Sequence, residues 1–401
     1  MKEKIYYLDG LRGVAAFIVV IHHYILGYYP TYASSQPIAT TPLNILYNGN
    51  TAVCIFFVLS GYVLSNKFFK TKDNNVLIEG TTKRYFRLLL PVFASIFVAY
   101  LFLATGLFTN QEVGQLTNSY WLAHFYTFDA NFFEMLKQGL YRVFLYGESS
   151  YNTNLWTIYL EFLGSLLVFS FLAFFGKMKK RYIVYILLFF VFYQTYYLAF
   201  LLGVLLCDLK HLENGQKYFI KNKVALFALF ALAIFFASYP YGPPIENTVY
   251  EKLKFAFLNV TFYQFYHIIG GFLLVYVLLA SNMMQKFFSY RPMIFLGKIS
   301  FSLYVFHLII ICSFSASLFE MLLPYFSYKM SFIIMFLCSL VILLPLSYLS
   351  YKYIDLSSVK LGNKVYSYLA TKTDSPKKES TSRFGSQKKG SVGTVGTFTQ
   401  K

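Results

Sequence analysis

The chain is a succession of long apolar segments, and this feature restricts its fold more than any other. The hydrocarbon core of a bilayer is about 30 Å thick, and a helix needs roughly 20 apolar residues to cross it. Inside that core every backbone N–H and C=O must find a partner within the protein, so only helices or closed barrels can span it. Segments that predict membrane helices lie near 11–29, 52–69, 86–107, 154–176, 181–194, 196–209, 223–239, 256–280, 296–317 and 330–353.

The fifth and sixth of these segments leave the number of crossings open. They are short and are separated only by the region around Gln194, so they could be tilted, re-entrant or one broken helix pair. The composition supports the same class of fold, because 57% of the 401 residues are hydrophobic and only 13% are charged. A soluble domain carries about 25% charged residues. We therefore predict an all-α transmembrane bundle of about ten helices.

The charges in the loops test this count independently, because short cytoplasmic loops are enriched in lysine and arginine. Every even-numbered loop is basic, at 67–87, 177–181, 210–223 and 286–291, whereas the first loop has no charge and the third contains several carboxylates. This alternation predicts cytoplasmic termini, and a miscount of one helix would have broken it. The net charge of +18 is thus a topology signal. Nucleic-acid binding is not predicted, since it needs basic residues across a folded surface.

The remaining composition signals concern domains and metals. Residues 1–370 are predicted to form one transmembrane domain, and residues 371–401 are rich in Ser, Thr, Gly and Lys, which predicts a disordered basic tail. The long third loop contains Trp121 and six other aromatic residues that predict an ordered segment on the outer interface. All four cysteines lie in or beside apolar segments, so neither a disulfide framework nor a metal site is predicted.

The first segment, LDGLRGVAAFIVVIHHY, contains ionisable residues that are costly inside a membrane and therefore suggest function. Arg12 and His23 are eleven positions apart, which brings them to within about 20° of one another on the helix and about 16 Å apart along it. Arg12 would lie at the cytoplasmic edge, where it could pair with Asp9 across i and i+3. His22 points about 100° away from this face. The alternative is a snorkelling arginine and a structural histidine.

The fourth segment begins NTNLWTIYLEF and contributes a carboxylate. Helical rise places Glu161 about 10 Å below the outer edge, a depth similar to that of His23. A carboxylate beside an imidazole can hold its tautomer and raise its basicity, as general-base catalysis requires. We therefore predict that Glu161 assists His23, the alternative being a structural ion pair. Asn154 and Trp156, at the outer start of this segment, are predicted to bind the acceptor.

Two further motifs suggest a site for the donor. Arg84 and Arg87 lie one helical turn apart in KRYFRLLLP, where two guanidinium groups could clamp a phosphate. Their alternative explanation is the ordinary positive charge of cytoplasmic loops. The ninth segment, FLGKISFSLYVFH, places Ser300, Tyr304 and His307 in its inner half. These side chains either line the donor site or form hydrogen bonds between helices.

Taken together, these strings resemble the acyltransferase 3 family of membrane-bound O-acyltransferases. The matching pieces occur in family order over nearly the whole membrane region: LDGLRG, His23, FFVLSGYVLS, RYFRLLLP, LWTIYLE, FLLGVLL and GKISFSLYVFH. The resemblance implies that His23 is catalytic and Arg12 essential, and it links Arg84 and Arg87 to an acyl-CoA donor. Two acidic positions of the family depart from its pattern here, with Cys54 before the FF pair and Asp355 followed by leucine instead of Glu-Pro.

We therefore expect an integral membrane acyltransferase of the cytoplasmic (inner) membrane. It would move an acyl group, acetyl by default, from a cytoplasmic acyl-CoA to a hydroxyl of an extracytoplasmic acceptor, which the resemblance implies is a carbohydrate or surface polysaccharide. Acyl-CoA would act as a co-substrate, with no permanently bound cofactor. The acyl group would pass to the acceptor in one of three ways: directly, by way of an acyl-histidine intermediate, or by way of a separate extracytoplasmic partner. The alternative function is a transporter whose intramembrane His, Arg and Glu form a proton or substrate pathway.

Overall fold

The computed structural model describes residues 5–29, 37–241, 245–253 and 262–373, and the regular structure in these ranges is entirely helical. This confirms the predicted all-α fold. Each predicted membrane segment overlaps one of ten helices, and residues 256–261 of the eighth segment lie outside the described residues. The helices are α1 Tyr6–Tyr28, α2 Gly49–Thr71, α3 Asn75–Ala104, α4 Trp156–Phe175, α5 Arg181–Phe192, α6 Tyr197–His211, α7 Lys223–Ala237, α8 Phe262–Ala280, α9 Arg291–Ile310 and α10 Tyr328–Ser350.

Helix length separates these ten elements into two groups. Within the described residues, seven helical segments are long and apolar enough to cross a membrane, and they contain α1 to α4 and α8 to α10. Helices α5, α6 and α7 have 12, 15 and 15 residues. At 1.5 Å per residue they are about 18 to 22 Å long, which is less than the bilayer core. The chain is therefore a multi-pass membrane protein with seven full-length candidate spans.

Two of the long helices continue through π-helical turns. Ile311–Ser315 leads α9 into Ala316–Leu322, and Tyr351–Asp355 leads α10 into α11, Leu356–Thr373. Helix α11 packs along the first half of α3, where the Ser358 hydroxyl donates a hydrogen bond of 2.9 Å to the carbonyl of Arg87. The predicted disordered tail begins at 371, but helix α11 extends to 373, and residues 374–401 lie outside the described residues.

Contacts between the helices show that consecutive helices run in opposite directions. The end of the bundle where α1 begins, near Arg12, is called the arginine end, and the end where α1 finishes, near His23, is called the histidine end. The odd-numbered helices α1 to α9 run from the arginine end to the histidine end, and the even-numbered helices run back. The basic loops therefore all connect helices at the arginine end.

Glycines allow at least three helix pairs in the described bundle to pack at backbone contact, namely α1 with α9, α2 with α6, and α7 with α8. A Cβ atom built on Gly13 of α1 would lie 2.3 Å from the backbone nitrogen of Gly297 in α9. In the pair of α2 and α6, a Cβ atom on Gly61 would lie 2.0 Å from the carbonyl oxygen of Phe200, and one on Gly203 would lie 2.1 Å from that of Val58. Lipid tails are as apolar as side chains, so membrane helices associate through such close packing.

A bulky residue at the contact of α2 and α6 should therefore prevent folding. We expect Gly203→Leu to abolish the monodisperse folded protein, because overpacking costs about 1–3 kcal/mol even where side chains can move, and here the obstructing atoms belong to the backbone. The measurement is fluorescence-detected size exclusion with a thermal ramp. Ala231→Leu is the matched control because Ala231 is exposed on α7. A Gly203→Leu protein with an unchanged melting temperature would contradict this close packing.

The long connection between α3 and α4 folds over the histidine end. It contains short helices at Asn110–Leu116, Tyr120–Ala123 and Phe132–Lys137, so the prediction that this aromatic loop is ordered is confirmed. Two hydroxyls fasten it to the last turn of α1. Ser119 donates to the carbonyl of Leu26 at 2.9 Å, and Thr117 donates to that of Gly27 at 3.1 Å. The loop thereby brings Trp121 against α1.

Candidate active site

The parallel packing of α1 on α9 places two histidines side by side at the histidine end. Gly13 contacts Gly297, and ten residues further along both helices His23 faces His307. The Nδ1 atom of His23 lies 2.7 Å from the Nε2 atom of His307, and the two rings lie edge to edge and nearly coplanar, with centroids 5.0 Å apart and an interplanar angle of 12°. His307 is fully buried, whereas His23 is partly exposed.

The His23 ring also contacts the loop between α3 and α4. The indole of Trp121 stacks on it with centroids 5.2 Å apart and an interplanar angle of 10°. The neighbouring His22 points elsewhere, with its Nδ1 atom 2.9 Å from the carbonyl oxygen of Tyr47. The two histidines therefore have different contacts, as their positions on the helix predict. Of the two, only His23 contacts both His307 and Trp121.

Tyr304 fastens α9 to the start of α4, one turn below His307. Its hydroxyl donates to the carbonyl of Asn154 at 2.5 Å and lies 2.7 Å from the Thr157 hydroxyl. The Asn154 amide donates in return to the Tyr304 carbonyl at 2.5 Å. Asn154 is buried by these contacts, and its predicted role in acceptor binding stays a prediction. Trp156 is 40% exposed, and its role in acceptor binding stays a prediction.

Glu161 forms a buried ion pair with Arg84. The Arg84 guanidinium donates to Glu161 Oε1, which also accepts a hydrogen bond of 2.7 Å from the Ser60 hydroxyl. Three helices, α2, α3 and α4, are joined at this carboxylate. Since a buried charge is tolerated only when it is paired and hydrogen-bonded, each side chain of the pair stabilises the other in the bundle.

The predicted pairing of Glu161 with His23 is wrong. Within the described residues Glu161 bonds to Arg84 and Ser60, whereas His23 bonds to His307. The physical reason is depth. Thr157 contacts Tyr304, and Glu161 lies one turn deeper along α4. His307 lies one turn in the opposite direction along α9, which together separates the two levels by about 10 Å.

Three arginines converge toward the arginine end of the bundle. Arg12 pairs with Asp9 at 2.9 Å, which confirms the predicted i,i+3 contact. Arg12, Arg84 and Arg87 all lie within electrostatic range of one another. The two arginines of the predicted phosphate clamp nonetheless differ in their surroundings. Arg84 is buried and paired with a carboxylate, whereas Arg87 is exposed.

A third carboxylate belongs to this cluster. Asp355, in the π-helical turn between α10 and α11, lies within electrostatic range of Arg87 and Arg12. The sequence resemblance carried no role over to Asp355, because its surroundings in the family motif differ. The structure places it facing the arginines, so that three guanidinium groups are balanced by the carboxylates of Asp9, Glu161 and Asp355.

The polar residues predicted to line a donor site on α9 face partners inside the bundle. The Ser300 hydroxyl donates back to the carbonyl of Gly297 at 3.0 Å. Tyr304 bonds to α4, and His307 bonds to His23. All three side chains are buried. Their part in donor binding stays a prediction, but the contacts of His307 belong to the histidine pair, a role that sequence reasoning missed.

Comparisons with known proteins found one family profile and several similar acyltransferases. The sequence profile of a family described as an acyltransferase domain, Acyl_transf_3, matches residues 5–352. The chain is 25% identical to the acyltransferase clz18 of Cochliobolus lunatus and 24% identical to the acyltransferase R4 of a Phoma species, in each case over 78% of this chain and 84% of the relative. It is 26% identical to the O-acetyltransferase PaAT-1 of Phomopsis amygdali over 52% of this chain, and spans about half of that relative (49%). No solved structure matches.

Proposed function

The chain belongs to the acyltransferase 3 family and is a multi-pass membrane acyltransferase, and from this premise we propose that it transfers an acetyl group from cytoplasmic acetyl-CoA to a hydroxyl of an acceptor across the membrane. The observation that carries the proposal is the His23 site. His23 is partly exposed, and no hydrogen bond is recorded for its Nε2 atom within the described part of the chain. An imidazole nitrogen in this state can take a proton from a hydroxyl.

The arginine cluster is the proposed entry site of the donor. Arg87 is exposed, and Arg12 lies beside it. The Nε atom of Arg84 is buried without a hydrogen-bond partner among the described residues. A buried donor left unpaired costs about 1–3 kcal/mol, which an anionic oxygen of the donor would recover. Arginine recognises phosphate through paired hydrogen bonds, so the phosphates of acetyl-CoA fit this end of the bundle.

The proposed topology has all ten helices entering the bilayer, with both termini in the cytoplasm. Its support is that the arginine end, where the described chain begins and where α11 packs, also carries the basic loops 67–87, 177–181, 210–223 and 286–291. Arg12 then lies on the cytoplasmic side and His23 about 16 Å away from it along α1. The pantetheine arm of the donor, which carries the acetyl group at its end, would cover this distance, and the membrane would be the cytoplasmic membrane.

The proposed reaction proceeds by general-base catalysis. His23 Nε2 takes the proton of the acceptor hydroxyl while the hydroxyl oxygen forms a bond to the thioester carbonyl carbon. The carbon–sulfur bond then breaks, and the CoA thiolate takes the proton from His23. Acetylation of His23 before transfer is the other route. Both routes release free CoA and leave an ester on the acceptor.

The acceptor is proposed to be a carbohydrate hydroxyl, and the acyl group acetyl. The acetyl group is supported by one relative, which is an O-acetyltransferase. Trp156 is exposed at the start of α4 and offers an aromatic face near the histidine end of the bundle. The acceptor reaches His23 directly or through a separate extracytoplasmic transfer partner. The test is acetyl-CoA-dependent release of free thiol by protein in nanodiscs, with radiolabelled acetyl followed into glycan fractions. Substrate uptake without thiol release would instead indicate a transporter.

Loss of the exposed arginine should weaken donor binding selectively. We expect Arg87→Ala to raise KM for acetyl-CoA about tenfold with kcat changed less than about twofold, because it removes one charge-assisted contact to phosphate. The steady-state rate of thiol release measures both constants. Lys329→Ala is the matched control, since it removes one exposed cation from the histidine end. Equal KM values in wild type and Arg87→Ala would exclude Arg87 from the donor site.

A further inference from the structure

We infer that His307 is a positioning residue that fixes the tautomer of His23, so that the reacting nitrogen is Nε2. The inference rests on the proposed function of His23 and adds a specific role for its partner. Its starting point is a chain of hydrogen bonds that runs from the Tyr304 carbonyl through His307 to His23. In a neutral histidine one ring nitrogen is a donor and the other is an acceptor, so one fixed end of this chain determines every proton along it.

The fixed end is the carbonyl of Tyr304. His307 Nδ1 lies 2.6 Å from the Tyr304 carbonyl oxygen. A carbonyl oxygen can only accept, so Nδ1 of His307 must carry a proton. In neutral His307 the Nε2 atom is then an acceptor, and the contact of 2.7 Å requires His23 to donate from its Nδ1 atom. Nε2 of His23 is left with a free lone pair.

The same contacts assign the two histidines different roles. Both ring nitrogens of His307 are occupied, and its side chain is fully buried. His307 therefore has no nitrogen available for a substrate. His23 uses only Nδ1 in the described structure and is partly exposed. The pair resembles a catalytic histidine held by a hydrogen-bonded partner, except that the partner here is a neutral imidazole.

The surrounding groups hold this arrangement in place. The Tyr304 carbonyl also accepts from the Asn154 amide, which ties α9 to α4 at this level. The rings that face His23 are His307 from α9, Trp121 from the loop and His22 from its own helix, the last with centroids 5.3 Å away. No carboxylate in the described ranges bonds to His23. A neutral partner avoids the cost of burying a charge at this depth of the membrane.

Two variants of His307 test this role. Glutamine places an amide oxygen where Nε2 of histidine lies and can accept from His23 Nδ1, whereas leucine fills a similar space without an acceptor. We expect His307→Leu to lower kcat roughly 100-fold, which is within the usual contribution of general-base catalysis, with KM for acetyl-CoA unchanged within about twofold. His307→Gln should recover to within about tenfold of the wild-type kcat. Equal kcat values in His307→Leu and wild type would overturn the role, as would equal losses in both variants.

A second measurement does not depend on turnover. Solid-state ¹⁵N NMR of histidine-labelled protein distinguishes protonated from unprotonated ring nitrogens, and the His23 signals are those lost in His23→Gln. We expect a protonated Nδ1 and an unprotonated Nε2 in the wild type. His124→Gln removes an exposed histidine of the loop and should leave this pattern unchanged. A wild-type His23 protonated at Nε2 would overturn the inference, even if His307→Leu fails to fold. If no acetyl-CoA turnover is found, the proposed function fails while the tautomer is still decided.

Discussion

Replacing His23 with alanine should abolish acetyl transfer. We expect kcat for acetyl-CoA-dependent thiol release to fall at least about 10³-fold, because the variant loses both the general base and the only nitrogen in the histidine pair that is available to a substrate. The rate is measured in nanodiscs against the uncatalysed background. His22→Ala is the matched control, since its side chain points to the Tyr47 carbonyl instead, and its rate should stay within about fivefold of the wild type.

Donor affinity should survive the same substitution. The arginine cluster lies about 16 Å from His23 along α1, and no contact between the two is recorded in the described residues. Binding of a non-hydrolysable acetyl-CoA analogue to His23→Ala is therefore expected to match the wild type. A His23→Ala protein with full turnover would exclude a catalytic role for His23. A protein that loses both turnover and donor binding would indicate a folding defect instead.

Most of the fold could be predicted because its determinants are local. Apolar length predicts each helix, and loop charge predicts which connections share one face. The structure agrees, since the even-numbered loops all join helices at the arginine end. The ion pair of Asp9 and Arg12 could be predicted for the same reason, because helix geometry alone fixes the relative positions of residues i and i+3.

Contacts between helices that are far apart in the sequence are harder to predict. A sequence-based depth for Glu161 depends on the predicted start of its segment, and each turn of error shifts the side chain by about 5.4 Å, so the separation of about 10 Å from the level of His307 corresponds to two turns. That shift is enough to exchange one partner for another. The relative depth of two helices is set by backbone contacts such as that of Gly13 with Gly297, which hydrophobic periodicity does not reveal.

The histidine pair did leave a readable signal in the sequence. Gly13 precedes His23 by ten residues, and Gly297 precedes His307 by the same number. If the two glycines mark the close contact of a parallel helix pair, the equal spacing places both histidines at one level. Interpreted separately, each histidine was only a polar residue in an apolar helix. His307 was consequently assigned to the donor site rather than to His23.

Separating the buried charges of Arg84 and Glu161 should destabilise the protein strongly. We expect Arg84→Met to lower the free energy of unfolding by about 3–5 kcal/mol, because removing one partner of a buried pair leaves the other charge uncompensated. Glu161→Gln should have a similar but smaller effect, since glutamine keeps a partner for the Ser60 hydroxyl. The thermal midpoint and the folded yield in detergent measure both effects.

The double variant Arg84→Met/Glu161→Gln decides between the two interpretations of Glu161. If its main partner is Arg84, as the ion pair indicates, removing both charges should recover most of the stability lost by Arg84→Met. Loss of the arginine from the donor site would then appear as a higher KM for acetyl-CoA, with kcat retained. If Glu161 instead acts through His23, the double variant will fold but its kcat will stay low. A double variant as unstable as Arg84→Met would show that the two side chains are not coupled.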